Sequence, residues 1–452
     1  EIVTKMRLPQ HLWWEIPVQP PYKRCRYFFE LQAGAERVFY FEDGFHSPED
    51  VKNGQLGQCF TFPWMNSVDI NVTPKWVRET VWYQIFPERF CNGNKENDPD
   101  WVKPWGFHTV SNLDFYGGDL DGIRQKLPYL QELGITGLYL TPVFESPSSH
   151  KYDTTDYRKI DPGFGDEETM KLLVKEAHDR GIRVMLDGVF NHCGSNFLPW
   201  RDVMEKGPKS PYYDWFMINR WPCREQEGST RDGRYYSFAF AERMPKLNTS
   251  EKKVRDYFLD TVRYWIETFD IDGLRLDVAN EISHLFCREL RQMTKQLKPD
   301  FYLLGEIWHD AMPWLGGDEF DAVMNYPFAA AIREFWYQPE KTKSDLEEAI
   351  YENLVRYMRQ TTEVLFNLMD SHDTDRLIHQ TGGNQDLFFQ QLAMLFTMPG
   401  SPCIYYGTEI AIEGGADPDC RRCMPWDQIE QGNYAEITEQ VKQLIALRKE
   451  PA

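Results

Sequence analysis

Four acidic stretches carry the residues with chemistry to offer, and each ends a run apolar enough to be a buried strand. They are Asp187-Gly188-Val189-Phe190-Asn191-His192, Gly273 to Glu281, Gly305-Glu306-Ile307-Trp308-His309-Asp310 and Asp370-Ser371-His372-Asp373. Runs such as Val184-Met185-Leu186 and Val364 to Met369 read as strands of a parallel sheet covered on both faces. If such strands close into a barrel, their ends converge on one rim and the acids act together. Arg275 and Asp277 share one face of a strand, so a guanidinium beside the carboxylate favours its ionised form and suits Asp277 to be a nucleophile. Glu306 is suited to the opposite role. As a general acid it must keep a proton, helped by the neighbouring carboxylates Asp277 and Asp373 and by the indole of Trp308. A nucleophile paired with an acid is the equipment for breaking a glycosidic bond. One such acid reads equally well as a salt bridge on a barrel rim; four at four strand ends do not.

The elements that must position these acids can be read from the pattern. From about residue 80, strands alternate with helical segments, which implies βαβ units. Eight strand candidates stand out: Val81–Phe86, Gly137–Val143, Arg183–Phe190, Gly273–Val278, Tyr302–Ile307, Phe320–Asn325, Val364–Asp370 and Pro402–Tyr406. Helical stretches run over Glu167–Arg180, Val254–Phe269, Ile282–Leu297, Asp386–Thr397 and Thr438–Lys449. In the second of these, Val254, Phe258, Val262, Trp265 and Phe269 form one apolar stripe. Pro128 falls inside the pattern Leu120–Leu133 and is expected to break that helix. Nearly sixty residues separate strand three from its returning helix, too many for a plain loop, and read as an excursion domain over the barrel mouth. Residues 1 to about 75 are rich in β-formers; Tyr27–Leu31 and Val38–Glu42 flank Gly34 as a hairpin. The expected fold is a (β/α)8 TIM barrel over 77–192 and 251–452, with an excursion domain at 193–250 and a partial β-sandwich module at 1–76.

Composition narrows the partners. The net charge of −20 disfavours nucleic acid and anionic membranes, both of which would repel it. No apolar run approaches the ~20 residues of a transmembrane helix. Nine scattered cysteines point to free thiols and a cytoplasmic location rather than a disulfide framework. Cys420-x-x-Cys423 has no second pair to complete a zinc site. Asn92, Asn94, Asn97 and Asp98, with Gly117-Gly118-Asp119 further on, form an oxygen-rich cluster that suits Ca²⁺ and reads equally as an Asx-rich turn.

The four stretches, in order and spacing, resemble the four motif regions of the α-amylase family of glycoside hydrolases. The resemblance implies Asp277 as nucleophile, Glu306 as acid/base and Asp373 as the third carboxylate, holding sugar hydroxyls in the transition state. It implies His150, His192, Arg275, Trp308 and His372 as contacts around the sugar, with Tyr152 as the stacking platform beneath it. Met244-Pro245-Lys246-Leu247-Asn248, Val81 to Phe90 and Val278-Ala279-Asn280-Glu281 are similar to the neopullulanase, cyclomaltodextrinase and maltogenic amylase group. Within that group Glu281 would face the acceptor sugar or water, and Asp417 and Arg421 the non-reducing end of the substrate. The group's calcium site maps onto Asn92, Asn94, Asn97, Asp98, the carbonyl of Gly117, and Asp119; Asn94 stands where an aspartate is common, which removes a charge. The family's N-terminal sandwich is represented by about its second half and its C-terminal sandwich is not represented.

The activity implied is retaining hydrolysis of α-1,4 bonds in cyclodextrins, maltooligosaccharides and pullulan, with some transglycosylation, by an enzyme that is a homodimer when full length. An exo-acting α-glucosidase or a glucanotransferase on the same barrel is the alternative, against which the Met244 to Asn248 stretch argues. A non-catalytic binding relative would lack one of the acids, and none is lacking.

Overall fold

A computed structural model describes residues 4–8, 12–53, 57–66, 70–106, 110–225 and 230–449. The chain divides into two compact units, Glu1–Asn71 and Val72–Ala452. In the first, Phe29–Ala33 and Glu36–Phe41 pair antiparallel across a two-residue turn, and Gly44–His46 adds a third strand. Gly34 takes φ +61° in that turn, the left-handed geometry that tight hairpins require and glycine adopts without penalty. Two further antiparallel pairs join Thr4–Arg7 to Leu12–Glu15 and Cys25–Tyr27 to Phe60–Phe62.

In the second unit, eight parallel strands follow one another: β1 (Trp82–Ile85), β2 (Gly137–Leu140), β3 (Arg183–Gly188), β4 (Gly273–Leu276), β5 (Tyr302–Gly305), β6 (Ala322–Val323), β7 (Phe366–Leu368) and β8 (Ser401–Tyr405). Their order in the sheet, 6-5-4-3-2-1-8-7, is that of a barrel. The ring closes through one parallel bridge, Met324 to Phe366. All eight expected strands are present; seven are shorter than their apolar runs, and the eighth keeps five residues but starts one earlier, at Ser401.

The barrel interior is layered by the two-residue period of its strands. Trp82, Tyr302 and Phe366 pack in the lower layer, with Trp82 and Tyr302 stacked at 5.9 Å. A Cβ on Gly137 would lie 2.6 Å from the Trp82 ring, so the small residue makes room for the indole. Two residues further along the same faces come Gln84, Tyr139, Asp187 and Arg275, all buried. The upper layer is polar. Apolar packing holds the barrel from below, and the mouth is left for chemistry.

Helices α1 (Leu120–Leu133), α2 (Glu167–His178), α3 (Lys252–Phe269), α4 (His284–Leu297), α5 (Tyr326–Tyr337), α6 (Lys343–Val355), α7 (Gln385–Thr397) and α8 (Ala435–Lys449) belong to this unit. The stripe expected on α3 is buried throughout. The expected break at Pro128 does not occur: α1 runs unbroken through it. Proline removes the bond its amide would make to Arg124, a local cost of about 3 kcal/mol. Ile123, Leu127, Leu130 and Leu133 are buried on either side, and a buried leucine or isoleucine is each worth about 1.5–3 kcal/mol. Packing wins over the missing bond.

After β3, Leu198–Lys206 forms a helix, and isolated bridges tie His192 to Lys246 and Phe216 to Leu247. The segment thus leaves and rejoins the barrel at one point. Among the described residues no helix is long and apolar enough to cross a membrane, and all nine cysteines are free.

Candidate active site

The register of β3 on β4 places Asp187 directly opposite Arg275. One terminal nitrogen of Arg275 donates to both oxygens of Asp187 and to Oδ1 of Asp277, each at 2.9 Å. Its other terminal nitrogen lies 2.8 Å from Oε2 of Glu306. A single buried guanidinium thus gathers carboxylates from β3, β4 and β5. Sequence reasoning places Arg275 beside Asp277, to keep it ionised. The structure corrects this, because the positive charge is divided among three acids. Burial pushes Asp277 well above the ordinary carboxylate range; Arg275 opposes the rise, and Glu306, Asp187 and Asp373 add to it. Burial likewise raises Asp373, opposed by Arg421 and Arg275. The cluster is built to retain a proton, since its acids outnumber the guanidinium among them.

The backbone just past Asp277 is strained. Val278, a β-branched residue, has φ +46°, a conformation that costs roughly 1–3 kcal/mol. In return its amide donates to Oε2 of Glu306 at 3.0 Å, and the Ala279 amide reaches the Glu306 carbonyl at 3.2 Å. The strand end bearing Asp277 is thereby fixed to the one bearing Glu306. On the open side of Glu306, the Trp308 indole N–H donates to Oε1 at 3.2 Å, and its ring stacks on Tyr326 at 3.7 Å. Trp308 is half exposed, as a surface for sugar contact would be.

Opposite these acids, Tyr152 and His372 lie parallel at 5.4 Å. The hairpin from Phe144–Glu145 to Asp156–Ile160 brings Tyr152 to the mouth. Its hydroxyl donates to Asp187 at 2.9 Å and meets Nε2 of His372 at 2.6 Å. Asp373 Oδ2 lies 3.1 Å from the same nitrogen, and its Oδ1 lies 3.3 Å from Arg421. Arg421 also pairs with Asp417 at 2.8 Å and donates to Asn112 at 3.1 Å. His192 is fully buried against the Phe238 ring at 4.7 Å. Burial first, then Lys246, pushes its imidazole down to about 3, so it stays neutral. The Nδ1 of His150 accepts the Tyr152 amide at 3.1 Å. Glu281 pairs with Lys246 at 2.8 Å and is otherwise open.

These side chains enclose a cleft of about 410 Å³ whose walls include Asp277, Glu306 and Asp373. A larger hollow of about 990 Å³, between Lys75, Arg183 and Arg448, is lined by none of the strand-end acids. Chemistry selects the smaller space. Sequence reasoning left Asp187, Tyr139, Gln84, Asn112 and Lys246 out of the site. Asp187 opens the very stretch that contains His192, and Lys246 sits inside the Met244 to Asn248 stretch. Gln84 sits inside the Val81 to Phe90 stretch, whereas Tyr139 and Asn112 carried no signal before the strands were paired.

The oxygen-rich cluster lies beside the start of α1. Asn92 donates to both oxygens of Asp98, at 2.8 and 3.0 Å. Its own Oδ1 is buried with no hydrogen-bond partner. Gly117, at φ +83°, lies so close that a Cβ there would fall 2.1 Å from Asp98. Asp119 caps α1, and its oxygens accept the amides of Gly93, Asn94 and Gly122; burial raises its pKa to about 6. Asn94 accepts the Glu96 amide, and Asn97 ends the short turn that follows. Among the described residues no group of three or more His, Cys, Asp or Glu gathers as metal ligands. Amide and carbonyl oxygens dominate the cluster, a donor set suited to a hard cation.

A barrel of this order, with strand-end acids in its mouth, defines a glycosidase. Residues 84–450 match the family model for the α-amylase catalytic domain, and residues 2–66 match that for the α-amylase N-terminal Ig-like domain. The chain belongs to the α-amylase family and is an α-glucan hydrolase. It is 52% identical over 440 residues to a cyclomaltodextrinase of Geobacillus thermopakistaniensis, covering 97% of this chain and 73% of that one. It is 47% identical over 438 residues to a maltogenic α-amylase of Bacillus acidopullulyticus, with the same coverage. Neopullulanase 2 of Thermoactinomyces vulgaris is 46% identical over 431 residues, covering 94% and 71%. A solved cyclomaltodextrinase superposes with a TM-score of 0.90 at 44% identity, covering 99% of this chain and 75% of that one.

Proposed function

We propose that this chain hydrolyses α-1,4 bonds of cyclodextrins, maltooligosaccharides and pullulan by double displacement, with transglycosylation when a sugar replaces water. The observation that carries the reading is the sharing of Arg275 by Asp277 and Glu306, which holds a nucleophile and an acid side by side. Asp277 attacks the anomeric carbon as the glycosidic C–O bond breaks, and Glu306 gives its proton to the departing oxygen. Glu306, now a carboxylate, takes a proton from water, whose oxygen displaces Asp277 and frees the sugar. The first step needs its proton on Glu306. Arg275 opposes the rise of Asp277, and the positive charge growing on the sugar favours Asp277 as the anion. Asp373 and His372 face the same sugar, and Tyr152 lies beneath it. Asp417, Arg421 and Asn112 take the non-reducing side, and Glu281, held by Lys246, the acceptor.

Substrate class is tested by products and specificity constants. With β-cyclodextrin, pullulan and soluble starch as substrates, kcat/KM is expected to be higher for cyclodextrin than for starch. A small cleft beneath an overhanging segment admits compact rings more readily than long glucan helices. The family resemblance also carries a homodimer that narrows the cleft further, and the ratio is best measured at a concentration where the oligomeric state is known. Equal constants for cyclodextrin and starch would move the enzyme to the endo-acting amylases. A cytoplasmic location is favoured by the nine free thiols and by a Bacillus subtilis relative named intracellular maltogenic amylase, 46% identical.

For calcium, the orphaned Asn92 oxygen, Asp98 and the close approach of Gly117 fit a cation; Asn97, Asn94 and Asp119 stand around them. Its effect would be on stability, since none of these residues touches the acids. A bound ion at a hundredfold excess over Kd adds about 2.7 kcal/mol. Chelation is therefore expected to lower Tm by several degrees and leave turnover below the transition intact. A melting curve indifferent to both chelator and added Ca²⁺ would remove the ion from this cluster.

A further inference from the structure

We infer that Gln84, a buried amide on β1, is a positioning residue that holds His372 in the tautomer with its proton on Nε2. The assignment follows from counting donors. Gln84 Nε2 lies 2.6 Å from Nδ1 of His372, and both side chains are 1% exposed. At the far side of the ring, Nε2 faces two groups, the Tyr152 hydroxyl at 2.6 Å and Asp373 Oδ2 at 3.1 Å. The Tyr152 proton is already committed, because that hydroxyl donates to Asp187. Asp187 cannot give one back, since both of its oxygens accept from Arg275 and one accepts from Tyr139 as well. A proton on Nε2 is what the Tyr152 oxygen and the Asp373 carboxylate can both use. A neutral ring has only one, so Nδ1 is bare and must accept. Gln84 supplies the donor.

The ring is neutral in this setting. Burial first, then the charges of Arg421 and Arg275, pushes its pKa well below the ordinary value. The titratable and charged groups facing it are Tyr152, Asp373, Glu306, Arg275, Arg421 and His150. Without the amide, the proton can move to Nδ1 and turn a bare nitrogen toward Asp373. Two acceptors would then face each other across 3.1 Å, and the carboxylate that meets the sugar would turn away. Gln84 touches neither sugar nor acid. It acts through the ring.

The inference rests on the hydrolytic reading of the site, and the experiment separates the two. Uniform ¹⁵N-histidine labelling of the full chain, with a His372→Gln spectrum for assignment, reads the tautomer from the two ring-nitrogen shifts without substrate. The wild-type protein is expected to show a protonated Nε2 and a bare Nδ1 at neutral pH. Gln84→Met keeps the volume and removes the donor: the two nitrogen shifts should move toward each other. kcat on β-cyclodextrin should fall about tenfold to a hundredfold, the worth of one hydrogen bond to a buried polar group, with KM changed much less. Gln84→Glu puts an anion against Nδ1, so His372 should bind a second proton. An ionisation absent from the wild-type kcat/KM profile should then appear. This variant and the wild-type spectrum keep the test decisive if Gln84→Met does not fold. A wild-type ring protonated on Nδ1, or a Gln84→Met protein with unchanged shifts and kcat, overturns the assignment. A shifted tautomer in Gln84→Met, with a wild-type protein inactive on every α-1,4-glucan, would uphold Gln84 and overturn the hydrolytic reading instead.

Discussion

Asp277→Asn is expected to yield a folded protein that is more heat-stable than the wild type and has lost turnover by about 10⁴-fold or more. The loss of rate follows from removing the attacking oxygen while keeping the side-chain volume. The gain in stability follows from the direction of the Asp277 shift. A carboxyl whose folded pKa is raised stabilises the fold fully only below its unfolded pKa, near 3.9, and that contribution is lost as pH rises toward the folded value. The amide carries no such penalty. Arg275 keeps Asp187 and Glu306 as partners, so it is not orphaned. A rise in Tm of a few degrees at neutral pH, about 1–2 kcal/mol, is the expected size. It should shrink toward pH 4. A variant equally stable at both pH values, or less stable than wild type at neutral pH, would contradict the crowding of acids described above. Glu306→Gln makes a companion test, because only a poor leaving group needs protonation. Hydrolysis of ordinary glucans should suffer far more than that of a substrate with an activated aryl leaving group; equal losses would take the role of acid from Glu306.

The largest effect on folding should come from Arg275→Met. Asp187, Asp277 and Glu306 all lean on that one guanidinium, itself fully buried. Removing one partner of a buried ion cluster typically costs about 3–5 kcal/mol, and here three carboxylates lose their counter-ion together. Arg275→Lys should recover only part of the loss, because a single ammonium cannot present two nitrogens to three acids. Thermal unfolding should show the deficit smaller at pH 5 than at pH 8, since protonated carboxyls need no counter-ion. An Arg275→Met protein with the wild-type Tm at pH 8 would show that the cluster does not depend on this residue.

Strand-end acids were legible from sequence because apolar runs ending in Asp or Glu announce both the strand and its terminus. Asp277, Glu306, Asp373, Tyr152, His372, Asp417 and Arg421 all line the one cleft. What remained hidden depended on neighbours in space. Asp187 meets Arg275 only once β3 and β4 are set in register, 88 residues apart. Gln84 meets His372 only because β1, β8 and β7 are consecutive in the ring. Pro128 is a related case: the local loss of one hydrogen bond is outweighed by the burial of Ile123, Leu127, Leu130 and Leu133. Val278 has no signal in composition at all. A valine in the left-handed region is disfavoured by every local preference, and only the need to tie Asp277 to Glu306 explains it.

The barrel is not equally strong all round. Its wall is a continuous ladder except where two-residue β6 meets β7 through the lone bridge from Met324 to Phe366. Few backbone bonds have to part there, so local opening costs least along that line. Glu306 rises from β5 and Asp373 from β7, on either side of it. The mouth therefore has a seam between its acid and its hydroxyl-binding carboxylate, while the Asp187–Arg275–Asp277 side stays braced. Opening along that line would leave the footing of the nucleophile, on β4 between β3 and β5, undisturbed.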